Sequence, residues 1–419
     1  MNTYDGIKKG RITDYLANKA LQMKIPLCGT FELSPVCNFS CKMCYVRKTK
    51  KEVAEHSRSI LQLEDWLAIA AQAREKGPLY LLLTGGEPLL WPHFWTLYEQ
   101  LVDMGFLVSV NTNGALIDDD AIARFQKRPP QKLNITLYGA NNETYQRLCN
   151  ADGVFSKVDH AIRQLIASKI TVTINCSLTP SNAKDLDWII DYAKEQGAAL
   201  RVATYMFPPV RRDPAQIGEN ERFGPEDCAR YLLRYLERER GPEAYRRYLE
   251  NIVKGCIEPP GLDEGCIDPL DGKIRCRAGR SSFWITWDGW LTACGMMPEP
   301  KVDLKALAFP DAWTALVDLS AQLSLSGICR SCPNSDVCHP CAAIAYAETG
   351  KVSEIPVYMC KVSKQMQKIA RDTLRTQQIT NNTEEVRKYE QDQAIPDDAP
   401  GSVHINQHGP NGRIGCRNR

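Results

Sequence analysis

The sequence predicts an α/β fold built on a parallel sheet. From about residue 30 to residue 207, short apolar runs rich in Leu, Val, Ile and Thr alternate with longer amphipathic stretches. This alternation is typical of a parallel sheet, because each helix returns the chain to the starting edge by a right-handed crossover. Six such strands fit a partial (β/α)6 barrel, and they also fit a doubly wound sheet.

The predicted strands are short runs of the buried type: Thr30–Val36, Leu79–Thr84, Leu107–Asn111, Leu133–Leu137, Thr171–Leu178 and Leu200–Tyr205. The predicted helices lie between them: Leu63–Lys76, Phe94–Met104, Asp118–Gln126, Lys157–Ser168 and Asn182–Gln196. Asp118 and Ser181 suit helix N-caps. Gly77 and Gly197 suit the position just past a helix end. In barrels of this kind, functional side chains lie at the carboxyl ends of the strands.

Composition divides the chain into five predicted segments: an N-terminal extension (1–29), the barrel (30–210), a charged helical bridge (211–255), a cysteine-rich domain (256–377) and a tail (378–419). A helix is expected near the end of the fourth segment, around Lys361–Leu374. The tail is polar and has few large apolar residues, which predicts disorder because it cannot bury enough surface to fold alone.

Charge and hydropathy exclude several classes of function. The 419 residues carry 52 basic and 50 acidic side chains and no basic stripe, so nucleic acid is not an expected partner. The chain has no run of 18 apolar residues, so no membrane span is expected. The start lacks the apolar segment of a signal peptide, which predicts a cytoplasmic protein. In that compartment, 17 cysteines with CxxC spacings indicate metal sites or clusters rather than disulfides.

Cys37, Cys41 and Cys44 follow the first predicted strand in the sequence C-N-F-S-C-K-M-C. Three thiolates at this spacing can bind three irons of a [4Fe–4S] cluster and leave the fourth iron without a protein ligand. A vacant coordination position is the mark of a catalytic metal site, because substrate binds there. A structural zinc site with a distant fourth ligand is the alternative interpretation.

The segment C-N-F-S-C-K-M-C-Y resembles the signature of radical S-adenosylmethionine (radical SAM) enzymes. The resemblance implies that the open iron binds the amino and carboxylate groups of SAM. One electron from the cluster then splits SAM into methionine and a 5′-deoxyadenosyl radical, which removes a hydrogen atom from the substrate. The resemblance also favours the partial (β/α)6 barrel over the doubly wound sheet, and it makes the three cysteines the catalytic ligands.

The segment T-G-G-E-P, after the second predicted strand, resembles the motif with which this family holds the SAM amino group. Gly85 and Gly86 let a ligand approach the backbone closely, because they have no side chain. Glu87 can accept hydrogen bonds from an ammonium group. Pro88 rigidifies the exit from the turn. A simple turn would be the default interpretation of this motif alone, but it follows the cysteine motif by one strand.

The resemblance implies further contacts with SAM. Met43 is placed where the family presents an apolar residue to the adenine, and local packing is the alternative. Thr136 matches a hydroxyl that contacts the ribose. Arg147 matches an arginine whose guanidinium fork binds the SAM carboxylate, and a solvated helix face is the alternative. Asn113 and Asn111, in V-N-T-N-G, are further pocket candidates, although Asn-Gly is also a turn signal.

A second group of cysteines follows the predicted barrel and resembles the SPASM domain, which binds two auxiliary [4Fe–4S] clusters in peptide and protein maturases. This chain has two residues between Cys338 and Cys341, where that family more often has three. The resemblance implies these ligands for auxiliary cluster I: Cys266, Cys276, Cys294 and Cys341, with Cys256 competing for the place of Cys266. It implies these for auxiliary cluster II: Cys329, Cys332, Cys338 and Cys360. One or two structural zinc ions are the alternative.

Auxiliary clusters suit an oxidative reaction. When a substrate carbon radical forms a new bond or a double bond, one electron must leave, and buried clusters can accept it. We therefore expect an oxidoreductive radical SAM/SPASM enzyme that crosslinks or dehydrogenates a ribosomally made peptide or a protein side chain. The expected cofactors are three [4Fe–4S] clusters and SAM. The expected partners are the peptide or protein substrate and an electron donor of the flavodoxin or ferredoxin type.

A separate peptide-recognition protein is a further candidate partner, because the 36 residues before Cys37 are too few for the recognition domain of many maturases. Two other functions fit part of the sequence. Oxidation of a small molecule would use the same machinery. A non-catalytic electron-transfer protein would keep the downstream cysteines but has no use for T-G-G-E-P.

Some residues stand outside these motifs. The aromatic segment Phe283–Trp290 predicts a hairpin with Asp288 and Gly289 at its turn. The isolated Cys416 belongs either to a solvated tail or to a segment that folds back into the active-site mouth. Four cysteines match no cluster spacing and are expected to pack as small hydrophobic residues: Cys28, Cys149, Cys176 and Cys228.

Overall fold

The structure, a computed structural model, describes residues 12–255, 274 and 276–392, with side chains as far as residue 379. Residues up to Arg371 belong to one compact unit, and a second unit begins at Asp372. The first unit contains both the predicted barrel and the described part of the cysteine-rich segment. Within the described residues, no helix combines the length and apolar content that a membrane span requires.

The described strands form one sheet with the order β6-β5-β4-β3-β2-β1-β7-β8-β9. Their bounds are β1 Cys28–Glu32, β2 Tyr80–Thr84, β3 Leu107–Thr112, β4 Lys132–Thr136, β5 Val172–Ser177, β6 Ala199–Ala203, β7 Ser282–Ile285, β8 Trp290–Thr292 and β9 Lys301–Asp303. Strands β1 to β6 are parallel and follow the chain order. The predicted α/β fold with a parallel sheet is therefore confirmed. The order never reverses among these strands, which argues against the doubly wound alternative.

The helices cover the sheet. Their bounds are α1 Ile12–Met23, α2 Lys50–Ala54, α3 Leu63–Glu75, α4 Phe94–Asp103, α5 Asp119–Lys127, α6 Asn142–Cys149, α7 Phe155–Ala167, α8 Leu186–Glu195, α9 Pro225–Arg240, α10 Pro242–Lys254, α11 Phe309–Ser320, α12 Gly327–Arg330, α13 Ser335–Cys338, α14 Ala342–Thr349 and α15 Val357–Asp392. Short 3-10 turns occur at Pro88–Leu90, Ala183–Asp185 and Pro214–Gln216. Helices α9 and α10 lie in the charged segment for which a helical bridge is predicted.

Strand β1 is shorter than predicted at its carboxyl end. The chain leaves the sheet after Glu32 because the next residues pair with the T-G-G-E-P turn. The Gly86 amide donates to Ser34 O at 2.7 Å, and the Glu87 amide donates to Val36 O at 3.0 Å. This pairing brings the cysteine loop against the glycines.

The predicted cap at Asp118 is confirmed, since its side chain accepts the Ala121 amide at 2.9 Å at the start of α5. The predicted cap at Ser181 is wrong. Asn182 closes this turn instead, because its Oδ1 accepts the Thr179 amide at 2.7 Å. The chain then passes through a 3-10 turn before α8 begins at Leu186.

Helix α15 is much longer than the predicted Lys361–Leu374, and it runs through residues 378–392 of the predicted disordered tail. Its first half is anchored by buried residues spaced four apart: Val362, Met366 and Ala370. No glycine or proline interrupts the sequence between Val357 and Asp392, so nothing local ends the helix.

The predicted hairpin is present as β7 and β8. Gly289 has φ +93° at the turn, and its amide donates to Thr286 O at 2.9 Å. Strand β7 also pairs in parallel with β1, so the cysteine-rich segment continues the sheet of the first six strands. Gly29 makes this close pairing possible, because a Cβ there would lie 2.4 Å from the Phe283 ring.

Candidate active site

A cavity of about 460 Å³ opens at the carboxyl ends of the parallel strands. The last residue of five consecutive strands contributes to its wall: Thr84, Thr112, Thr136, Ser177 and Ala203. The three cysteines of the loop after β1 line the same cavity. The cysteine motif and the strand ends therefore meet, as the sequence predicts for a barrel of this type.

The cysteine loop is held from two sides. The end of α6 accepts two of its amides, from Ser40 to Cys149 O at 2.8 Å and from Lys42 to Leu148 O at 3.0 Å. On the other side, the Arg212 guanidinium donates to Cys44 O at 2.9 Å. These contacts fix the backbone on both sides of the thiols.

The thiols themselves receive backbone hydrogen bonds. The Phe39 amide donates to Cys37 Sγ, and the Arg47 amide donates to Cys44 Sγ, both at 3.3 Å. Burial raises the pKa of Cys37 to about 12, and the nearby Glu87, Cys41 and Cys44 add to the shift. The pKa of Cys41 is lowered, first because the Cys149 thiol donates a hydrogen bond to it.

These surroundings fit a cationic cluster. The three cysteines are half-buried, and Cys41 raises the pKa of both Cys37 and Cys44. Three thiolates this close together need positive charge to be stable, and iron supplies it. Amide hydrogen bonds to sulfur are a known means of tuning an iron–sulfur cluster. Across the described residues, no three Cys, His, Asp or Glu side chains converge as the ligands of a single metal ion would.

Gly85 and Gly86 line the cavity, but the protein itself already requires them. A Cβ at Gly85 would lie 2.3 Å from Ser34 O, and its φ of +148° disfavours any side chain. A Cβ at Gly86 would lie 2.5 Å from Val36 O. The glycines therefore let the cysteine loop approach the strand end, besides leaving room for a ligand.

The Glu87 carboxylate is fully buried and does not line the cavity. It accepts the Thr112 hydroxyl and the Asn113 amide, both at 2.8 Å, and the Leu89 amide at 3.1 Å. Burial raises its pKa to about 7. Its observed role is to hold the end of β3, and the predicted contact with the SAM amino group stays a prediction. Pro88 is buried and begins the 3-10 turn behind the cavity.

Three other predicted SAM contacts face the cavity: Met43, Asn113 and Thr136. Asn113 also connects β3 to the cysteine loop, because its Nδ2 donates to Asn38 Oδ1 at 2.8 Å and lies 3.8 Å from Cys37 Sγ. The second asparagine of that segment, Asn111, lines the cavity too, and its Oδ1 accepts from Asn134 Nδ2 at 2.8 Å.

Arg147 does not line the cavity. Its side chain is exposed on α6 and donates to Ser181 O at 2.8 Å and to Thr144 Oγ1 at 3.0 Å. The prediction that it binds the SAM carboxylate therefore has no support from its position. Arg201, on β6, is the one cation among the described residues of the cavity wall. Sequence reasoning missed it, although a charged residue between apolar ones inside a predicted strand was an available signal.

Among the described residues, the downstream cysteines have electrostatic neighbours from within their own predicted set, but no three of them converge as metal ligands, and the two auxiliary clusters stay a prediction. Burial raises the pKa of Cys294, and the nearby Cys276 thiol adds to the shift. Burial also raises the pKa of Cys341, and there the nearby Cys294 thiol adds to it. Burial raises the pKa of Cys338 to about 12, and three neighbouring thiols add to it: Cys360, Cys329 and Cys332. The predicted fourth ligand Cys266 and its competitor Cys256 lie outside the described residues, as does Cys416.

Three of the four leftover cysteines, Cys149, Cys176 and Cys228, are buried, as expected for small hydrophobic residues. Cys28 is half-buried. Cys149 does more than fill space, because its thiol contacts the cluster-loop residue Cys41.

Comparisons with known proteins agree with this site. The radical SAM superfamily profile matches residues 31–193. A probable GTP 3′,8-cyclase of Sulfurisphaera tokodaii is 30% identical over 283 residues, which covers 65% of this chain and 82% of that protein. The AdoMet-dependent heme synthase of Methanosarcina barkeri is 25% identical over 341 residues, which covers 78% of this chain and 94% of that protein.

Two solved structures share the fold. SuiB of Streptococcus suis, bound to SAM, has a TM-score of 0.58 at 16% identity, over 86% of this chain and 83% of SuiB. Native anSMEcpe with bound AdoMet has a TM-score of 0.61 at 19% identity, over 85% of this chain and 100% of anSMEcpe. The fold and the three-cysteine cavity define an α/β enzyme of the SAM-dependent radical class. The chain belongs to the radical SAM superfamily. Membership implies a [4Fe–4S] cluster and SAM.

Proposed function

We propose that this protein oxidatively modifies a ribosomally made peptide or a protein side chain, by crosslinking or dehydrogenation, with two auxiliary clusters as electron acceptors. The observation that carries the proposal is the grouping of cysteines. One set lines the cavity at the strand ends, and described cysteines of the two further sets are electrostatic neighbours within the same compact unit, which supports the proposal. When bound, the first cluster and SAM supply a 5′-deoxyadenosyl radical.

The residues of the cavity bind and orient these groups. Cys37, Cys41 and Cys44 would hold three irons, with the amides of Phe39 and Arg47 donating to two of the sulfurs. Arg201 takes the place of Arg147 as the candidate for the SAM carboxylate, because it is a guanidinium in the cavity wall. Glu87 acts indirectly, since it fixes Thr112 and Asn113.

The downstream cysteines would supply the oxidising half of the reaction. An electron that leaves the substrate radical needs an acceptor, and a fully ligated cluster serves as one. Three groups of ligands predict about twelve irons per chain after anaerobic reconstitution, at four for each cluster. About four irons would leave only the first cluster, and zinc in place of iron would remove the auxiliary acceptors.

A peptide partner is supported by SuiB, which has also been solved bound to its precursor peptide SuiA, with a TM-score of 0.60. The proposal places the enzyme in the reducing cytoplasm with a flavodoxin- or ferredoxin-type donor. A separate recognition protein would present the peptide where a leader is used.

A second candidate is oxidation of a small molecule. The AdoMet-dependent heme synthase favours it, since this chain covers 94% of that protein's length. The machinery described above would serve either substrate.

The test is release of 5′-deoxyadenosine by the anaerobically reconstituted protein with SAM and a reductant. We expect release to rise when a peptide encoded beside the gene is added, and the peptide to lose two hydrogens per turnover by mass spectrometry. A C37A/C41A/C44A variant is the control and should release none. Stimulation by a small molecule alone would favour the second candidate. Twelve irons with no SAM cleavage would favour an electron-transfer protein and contradict both.

A further inference from the structure

A second cavity, of about 330 Å³, lies beside the first. Tyr45 and Val46, which follow Cys44, line both cavities, so the two cavities share part of their wall. The other walls come from residues 56–58, from Arg211 and Arg212, and from the β7–β8 hairpin with the segment after it.

This second cavity is strongly cationic. Its described lining carries one carboxylate, Asp288, and five cations: Lys48, Arg58, Arg211, Arg212 and Lys301. Three of the cations are already neutralised. Arg211 pairs with Glu32 at 2.8 Å, Arg58 with Asp303 at 2.6 Å and Lys301 with Glu299 at 2.9 Å.

The other two cations, Arg212 and Lys48, form no ion pair with a carboxylate in the part of the chain that the structure describes. Both side chains are half-buried. Among the described residues, the Arg212 side chain makes one recorded hydrogen bond, from Nη1 to Cys44 O at 2.9 Å. Their acidic neighbours are the Cys44 thiol for Arg212 and the Glu52 carboxylate for Lys48. The described lining still carries five cations and one carboxylate, so an anionic ligand would stabilise this cavity.

The chemistry of the wall favours a carboxylate over a phosphate. Phosphate sites usually use the amides of a helix N-terminus or a glycine-rich nest. The described wall consists of loops and hairpin residues, and none of the helices begins in it. The planar fork of Arg212 matches a carboxylate, and the rings of Trp287 and Trp290 supply an apolar surface for the carbon chain that bears it.

We infer that the second cavity binds a carboxylate of the substrate, while the group to be modified reaches the first cavity across Tyr45 and Val46. This inference rests on the proposed function, which makes the substrate a peptide. The carboxylate is then an Asp or Glu side chain, or the C-terminus, of that peptide. Arg212 and Lys48 bind it, and the paired cations keep the surroundings positive.

The test is calorimetric titration of the full-length, anaerobically reconstituted protein with short peptides. The probes are acetyl-Gly-Glu-Glu-Gly-amide, its Gln-Gln counterpart, and acetyl-tetraglycine with a free C-terminus. We expect the first or the third to bind and the Gln-Gln peptide not to bind. Which of the two binds identifies a side chain or the C-terminus as the source. Affinity should fall as salt is raised, because the contact is between charges.

Variants sharpen the test. R212Q and K48Q should each weaken binding of the effective probe by about tenfold, as loss of a charge-assisted hydrogen bond does. R212K keeps the charge without the fork and should lie between R212Q and the wild type. The control is R74Q/K76Q, which removes two exposed cations at the end of α3 and should bind as the wild type does.

Several results would overturn the inference. These are equal binding of the Gln-Gln peptide, no binding of any probe, tighter binding of pyrophosphate than of either carboxylate peptide, or unchanged affinity in R212Q. Because binding is measured without turnover, failure of the proposed function appears separately. Intact peptide binding with no release of 5′-deoxyadenosine would refute the reaction and leave the carboxylate site standing.

Discussion

Glu87 organises the active site from behind the cavity. Its carboxylate accepts three hydrogen bonds and joins the turn after β2 to the end of β3. Asn113, which this contact positions, in turn reaches Asn38 in the cysteine loop. One buried acid therefore aligns three neighbouring segments of the cavity wall, and its protonation state should affect the whole site.

We expect the pH dependence of stability to report Glu87. Its pKa rises from the ordinary 4.5 to about 7 through burial. Its stabilising contribution is therefore fully present below about pH 4.5 and is lost as the pH rises through about 7. Relative to E87Q, the wild-type free energy of unfolding should fall by about 3 kcal/mol between pH 4.5 and 8. Denaturant unfolding at both pH values measures this. The control is E75Q, which changes an exposed glutamate of α3. Identical pH profiles of stability for the wild type and E87Q would contradict the raised pKa of Glu87.

Two arginines give a matched test of SAM binding. R201Q removes the cation of the cavity wall and should weaken SAM binding by about tenfold, since a guanidinium–carboxylate contact is lost. R147Q removes an exposed arginine outside the cavity and should leave the dissociation constant unchanged. Anaerobic equilibrium dialysis with SAM measures both. The reverse pattern would restore the sequence-based prediction for Arg147.

Among the individual site residues, the sequence predicts those that belong to short contiguous motifs. The cysteines and the T-G-G-E-P turn are local patterns, and the structure brings both to one cavity. A charged residue inside a strand is a local signal for Arg201, but the sequence does not show which cavity it lines, because the other lining residues are far away in the chain. Glu87 was identified, but its partners Thr112 and Asn113 come from another strand and carry no local sign of the contact.

Among the elements, the β1–β7 pair joins the first six strands to the cysteine-rich segment by close packing. Gly29 faces the Phe283 ring across this pair. The contact leaves no room for even a methyl group, since a Cβ there would lie 2.4 Å from the ring. The two strands are therefore tightly matched in shape.

We expect G29A to destabilise the protein by about 1–3 kcal/mol, the usual cost of overpacking a core. Denaturant unfolding measures the loss. G224A is the control, because a Cβ at Gly224 meets nothing within 4 Å and its φ of −65° suits any residue. If both variants unfolded alike, the close contact at Phe283 would be refuted.

The sequence predicted most strands and the longer helices because buried parallel strands are apolar runs and amphipathic helices repeat every three or four residues. Helix α6 was missed, since its eight residues, N-E-T-Y-Q-R-L-C, are mostly polar and its only strong signal is the Asn141 cap. Helix α15 is longer than the sequence predicts because its polar composition is also typical of a disordered segment, although its sequence contains no glycine or proline to end the helix.

For the whole molecule, a buried ion pair joins distant parts of the chain. Arg211 binds Glu32 at the end of β1 and donates to Gly295 O at 2.6 Å, beside the cysteine-rich hairpin. Trp284 of β7 donates its Nε1 to the same carboxylate at 2.9 Å. The pair therefore connects the first strand, the segment before α9 and the hairpin.

We expect R211M to destabilise the protein by about 3–5 kcal/mol, because it leaves the Glu32 carboxylate buried without its partner. Thermal or denaturant unfolding measures the loss. The double variant E32Q/R211M should recover part of it, since no charge is then left unpaired. A double variant less stable than R211M would show that the burial of charge is not the cause.

The global arrangement was the least predictable from the sequence. Composition suggested a separate cysteine-rich domain, but β7 pairs with β1 across about 250 residues of chain. A local sequence pattern predicts that a strand forms. Which sheet edge the strand joins depends on how its side chains pack against the neighbouring strand and the helices around it. The same reason explains why the second cavity, built from four distant segments, left no trace in the sequence.

The shared β1–β7 ladder also limits how such proteins can be recombined. If the chain were cut before the β7–β8 hairpin, β1 would lose its pairing with β7. The N-terminal part, which contains the three-cysteine cavity, would then have an exposed strand edge at β1. Such edges invite pairing between chains, so a truncated catalytic half should self-associate. Transplanting the cysteine-rich half onto another enzyme would likewise require the recipient's first strand to match β7 residue for residue.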